Sequence, residues 1–234
     1  MPTINASSMF RNSALNNTNN WSAARDATTG QVFNAGTGSP FSVLIIKDSG
    51  RGAGTFLVSR LYIKFNTSAI SVLPSTANIK FTTQQRNDLP NLSIVKATAD
   101  GSGTGDFDAI TGYSAGNTMA GNVTDYVASN TPAVDVSAEP LGTTFSIAGN
   151  STLKEDMRDN NTVVMAFVQY TNDYTNTTPA SNGFFDVGLL GTTSTQLEYT
   201  LPGYGKDVIG VSSSNIVEVS GVATSNIVDV IGVS

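Results

Sequence analysis

The segment TFLVSRLYIKFN, Thr55–Asn66, decides the fold class. Leu57, Leu61, Ile63 and Phe65 share one parity, while Arg60, Tyr62 and Lys64 share the other. A period of two belongs to an extended chain whose successive side chains leave on opposite faces, so the segment reads as a half-buried strand with a wet outer face. Upstream, Phe41–Lys47 (FSVLIIK) carries four aliphatic residues in series, Val43 to Ile46. Downstream, Ala77–Thr83, Leu92–Ala97, Thr143–Ala148, Thr162–Tyr170, Gly183–Leu190 and Thr195–Leu201 are strand-like runs punctuated by Gly, Asn, Asp and Pro. About eight strands before residue 202 predict an all-β chain, an antiparallel two-sheet sandwich of jelly-roll type. Thr162–Tyr170 (TVVMAFVQY) reads as its central core strand. Ser151–Asn160 (STLKEDMRDN), with Glu155 set as in a capping box, predicts one short helix.

Composition agrees and removes whole classes of chemistry. Charged residues are 13% of the 234, about half the usual share, and Asn, Ser, Thr and 22 Gly replace them. These are poor helix-interior residues. A net charge of −6 with 12 scattered Lys and Arg offers phosphates no basic surface, so nucleic acid is not an expected partner. There is no Cys and no His, which excludes nucleophilic cysteine, Ser-His-Asp triads and zinc sites with N or S ligands. No run approaches the roughly 18 apolar residues of a membrane-spanning helix, and no membrane partner is expected. Met1–Asn20 lacks a basic start followed by an apolar run, so the expectation is synthesis in a cytoplasm without an export leader. Residues 1–22 read as an N-terminal arm or edge strand anchored by Met9, Phe10 and Trp21, and residues 23–202 as the sandwich.

Beyond Pro202 the character changes. Asp207–Val211 (DVIGV), Glu218–Val222 (EVSGV) and Asp229–Val233 (DVIGV) repeat an acidic-Val-x-Gly-Val unit every eleven residues, two of them preceded by Ser-Asn-Ile-Val. β-branched residues and a recurring Gly argue for short strands joined by turns. Each unit is too short and too one-sidedly aliphatic to form a core by itself, and a bare edge of this kind aggregates. Residues 203–234 are therefore expected to oligomerise or anchor the chain, through Val208, Val211, Ile216, Val217, Val219, Val222, Ile227, Val228, Val230 and Val233, the alternative being an appended hairpin that closes the sandwich.

Two resemblances bear on function. Arg60–Ile70 (RLYIKFNTSAI), a strand ending in Phe-Asn before a small-residue turn and Pro74, resembles jelly-roll carbohydrate-binding modules. Ala24–Gly30 (ARDATTG), Gly105–Ile110 (GDFDAI) and the terminal repeats are similar to accessory virion proteins, of decoration or fibre type, of marine tailed bacteriophages. The second likeness spans almost the whole chain. It implies a non-enzymatic structural protein on the virion exterior: a capsid decoration, a head fibre or a tail-associated attachment element. Its expected partners are further copies of the chain, with a trimer favoured, other virion proteins and host surface glycans. The first likeness implies the alternative, a glycan-binding module.

Candidate sites follow from these expectations. Asp100, Asp106 and Asp108 lie in the long Gly-rich loop Asp100–Gly121 and could ligate Ca²⁺, with solvated Asx-turns as the competing reading; no other cofactor is in view. Tyr113, Tyr126 and Tyr174 are candidates for stacking on sugar rings if exposed, with solvent-tipped core tyrosines as the competing reading. Glu is scarce, no carboxylate pair stands out, and no catalytic residue is expected.

Overall fold

The computed structural model describes residues 1–34, 41–49, 54–86, 91–128, 132–135, 140–202, 218–219 and 222–223. The chain runs β1 (Thr3–Asn16), α1 (Trp21–Arg25), β2 (Gln31–Asn34), β3 (Phe41–Asp48), β4 (Thr55–Asn66), β5 (Thr76–Arg86), β6 (Asn91–Lys96) and β7 (Val134–Asp135). It continues with β8 (Thr144–Ala148), α2 (Ser151–Asp159), β9 (Thr162–Gln169), β10 (Gly183–Leu189) and β11 (Gln196–Thr200). Every strand pairing is antiparallel. The fold is all-β, a jelly-roll-like sandwich.

Two strands serve both layers. The small layer is β8-β5-β11 with the first residues of β1, where Thr3–Asn5 pair with Gln196–Glu198. A register shift between Ala6 and Ser8 then carries β1 across to β4, with which it stays paired to Asn16. Likewise β5 leaves β11 and β8 after Thr82 and joins β10. Such irregularities let a strand bend and turn the corner between packed sheets. The large layer is β2-β1-β4; the other edge of β4 takes β3 and β10 in its first half and β9, β6 and β7 in its second. Between the layers Ile79, Phe81 and Leu197 meet Leu61, Ile63, Phe65, Met165 and Phe167. Helix α2 adds Leu153 and Met157 to this core, and its N-terminus is capped by Asn150, whose side-chain oxygen accepts from the Leu153 N–H at 3.1 Å.

Two expectations need correction. Residues 1–22 are not an arm or an edge: β1 has neighbours on both sides, β4 on one and β11 then β2 on the other. Its Asn and Ser content hides a strand whose polar side chains find partners inside, although Asn12 Oδ1 is buried without one. The Asn12 amide donates to Gly103 O at 2.9 Å, and the Ser13 and Ser59 hydroxyls pair at 2.7 Å. The outer face of β4 is not wet either, since Phe56, Val58, Arg60 and Tyr62 are all buried. A third layer covers it, made of α1, the stretch Ala97–Val127 and a wide π-type turn at Tyr170–Tyr174. Trp21 seals one side of it, edge-on to Phe56 with ring centroids 5.6 Å apart.

Of the C-terminal repeat, β12 (Glu218–Val219) pairs with β13 (Val222–Ala223). The assembly residues Val208, Val211, Ile216, Val217, Ile227, Val228, Val230 and Val233 lie outside the described residues.

Candidate functional site

A fully buried ion cluster fastens the third layer to β4. Arg60 grips Asp173 with two parallel hydrogen bonds, Nε to Oδ2 and Nη2 to Oδ1, both 2.8 Å. Its remaining donors reach the Phe107 carbonyl at 2.9 Å and the Arg25 carbonyl at 3.0 Å. Arg25 in turn donates to the Asp173 carbonyl at 2.9 Å and to Asp26 at 2.6 Å. Two guanidinium groups thus face two carboxylates, the arrangement in which buried charge is tolerated. Burial alone would lower the Arg60 pKa, but the charge and hydrogen bonds of Asp173 outweigh it and hold the group well above its ordinary value. Apart from Arg25 Nη2, which is buried without a hydrogen-bond partner, the donors of the two guanidinium groups address the cluster itself, which holds structure together. Two loop segments meet on it: Ala24–Gly30 supplies Arg25 and Asp26, and Gly105–Ile110 supplies the Phe107 carbonyl. The two segments also join directly, Gly30 N–H to Thr104 O at 2.8 Å. At Gly101, φ is +77° and a Cβ would sit 2.6 Å from the Tyr62 ring, so only glycine lets the loop lie this close.

The expected sugar-stacking rings are elsewhere than expected. Tyr126 and Tyr174 are 1% and 0% exposed, their hydroxyls donating to Asp156 at 2.8 Å and to Asp125 at 3.0 Å. Buried rings of this kind give a glycan nothing to stack on. The Tyr113 ring lies 4.7 Å from the Arg60 guanidinium carbon, and its hydroxyl donates to Asp26 at 2.8 Å. Burial, opposed by the two arginines, pushes the Tyr113 hydroxyl up to about 12. Burial also raises Tyr62, and burial with Asp156 raises Tyr126. Because the unfolded chain loses these protons near pH 10 and the folded chain retains them, stability is complete below that pH and falls as pH rises above it. In an alkaline absorbance titration, Tyr62, Tyr113 and Tyr126 should stay silent until the protein unfolds. Their smooth ionisation near pH 10 in a folded protein would contradict this packing.

Asp100, Asp106 and Asp108 are not brought together. Asp100 accepts from the Ser102 N–H and hydroxyl at 3.2 and 2.6 Å, and these bonds, with Lys64, hold its carboxyl below the usual range. Asp106 accepts from the Gly103 N–H at 2.8 Å. Among the described residues no group of three acidic side chains is placed to hold a metal ion.

An open surface, missed in the sequence, lies where the small layer stops short. Across the inner face of β2, β1, β4 and β3 the register aligns Gln31, Ser13, Ser59 and Leu44 in one row and Leu15, Leu57 and Ile46 in the next. Arg11 and Phe33 close one end, and the whole forms a groove of about 350 Å³. Leu15 is 57% exposed, although its row is aliphatic. No single segment announces this face, because each strand contributes only two or three residues to it. A scan of protein-family models and a search of curated proteins both return no match to this chain.

Proposed function

We propose that the protein is a non-enzymatic structural component of a virion exterior, a capsid decoration, head fibre or tail-associated attachment element, that assembles through its C-terminal repeats. The observation that carries this reading is the change of pattern at Pro202. Beyond it an acidic-Val-x-Gly-Val unit recurs every eleven residues, at Asp207, Glu218 and Asp229, a period that the strands of the body do not share. Aliphatic strands of this density require burial against something, and further copies of the chain or a particle surface provide it. Asp26, Asp125, Asp156 and Asp173, with Tyr113, Tyr126 and Tyr174, are engaged with one another or with Arg60, which supports a scaffold.

Deletion of Asp207–Ser234 tests the proposal. The truncated chain should keep the far-UV spectrum of the folded body while losing self-association in light scattering and co-sedimentation with its particle. Normal assembly of the truncated chain would remove the repeats from this role.

A further inference from the structure

The open groove and the repeats complement each other, and we infer that one acidic-Val-x-Gly-Val unit of a second copy of the chain seats in it, with the unit's carboxylate against Arg11. This inference rests on the assembly reading above and supplies the receiving surface for it.

Three observations lead there. First, the Leu15–Leu57–Ile46 row is an aliphatic strip that no described element covers, and the neighbouring Ser13 and Ser59 hydroxyls are paired with each other and ask for no ligand. Second, the Arg11 guanidinium lies 4.2 Å over the Phe33 ring while its Nε is buried without a hydrogen-bond partner. Among the described residues it has no ion pair, and burial draws it below its ordinary value. A buried donor without a partner destabilises the fold, and a carboxylate in the groove would satisfy it. Third, β2 is a terminal strand of the large sheet, with β1 on one side and, among the described residues, no strand on the other. Such an edge can take further main-chain hydrogen bonds beside the groove.

Each repeat unit brings the matching chemistry, a carboxylate (Asp207, Glu218 or Asp229) followed by aliphatic residues. In the unit whose backbone is described, Val219 lies opposite Val222, so the chain turns back within the unit. The tail has three units, more than a groove of about 350 Å³ can seat together. Docking within one chain would leave two units bare, whereas exchange between copies gathers the remaining units side by side, where they bury one another.

Charge exchange between full-length chains tests this by sedimentation velocity. Arg11→Glu should raise the concentration needed for self-association at least about tenfold, as should the tail variant Asp207→Lys/Glu218→Lys/Asp229→Lys. An equimolar mixture of the two should associate again, within about threefold of the wild type. Leu15→Glu, at an exposed position, should weaken association without lowering the melting temperature, which separates docking from folding. If the wild type associates and both Arg11→Glu and Leu15→Glu associate equally well, the groove is not the receptor and the assembly reading stands without it. Recovery only when both charge changes share one chain, or no recovery in the mixture, overturns exchange between copies. A wild type that stays monomeric overturns both readings.

Discussion

Asp173→Ala should lower the melting temperature by roughly 10–15 °C, the equivalent of about 3–5 kcal/mol for a chain of this length. The substitution removes the partner of a guanidinium that has no contact with water. Arg60 would keep its two carbonyl contacts, but its charge would lie in a place built for neutralisation. The loss should fall first on the third layer. Trp21, the only tryptophan, sits in that layer and donates to Asn176 three residues beyond Asp173. Its fluorescence should therefore change at a lower temperature than the far-UV signal of the sheets. Asp159→Ala, which breaks the exposed Arg158–Asp159 pair, should leave the melting temperature unchanged. Replacing Arg60 and Asp173 together by Met and Leu should recover much of the loss, because a buried ion pair exchanged for apolar side chains of similar volume is often close to neutral. A melt of Asp173→Ala within about 2 °C of the wild type would show that the cluster does not fasten the layer.

Phe167→Ala should cost about as much, roughly 3–5 kcal/mol, through a different route. The Phe167 ring is fully buried between the two sheets and meets Phe81 edge-on, with centroids 5.3 Å apart and planes at 76°. Its removal leaves a cavity bounded by strands of both layers, which cannot close without moving the backbone of β4, β5 or β9. Tryptophan fluorescence and far-UV signals should then fall together at the lower temperature. Probes that separate here and coincide for Asp173→Ala would reverse the assignment of the two cores. Chemical denaturation with both probes provides the same comparison at constant temperature.

Strand positions were readable because each rests on local pattern. TFLVSRLYIKFN, FSVLIIK and TVVMAFVQY carry alternating or continuous apolar residues between turn-formers, and the structure places strands on all three. The first strand was not readable as an interior one. Its polar residues match partners remote in sequence, Gly103 for Asn12 and Ser59 for Ser13, and no local signal records such a match. The same holds for Arg60. A charged residue on an alternating strand normally points to water, and only the distant Asp173 makes its burial tolerable. Tyr126 and Tyr174 follow suit, since a tyrosine hydroxyl held by a buried aspartate is indistinguishable in sequence from one held by solvent. The groove is a property of register: its rows exist only once β1, β4 and β3 are aligned. What depends on spacing along the chain could be read, and what depends on pairing across it could not.

The account turns on the repeats needing a neighbouring copy. Sedimentation equilibrium of the intact chain over a range of micromolar concentrations measures that directly. An oligomer whose mass is a whole multiple of the 24.4 kDa chain, with three copies favoured, is the result predicted. A single species of 24.4 kDa at every concentration, its repeats protected from proteolysis, would contradict it.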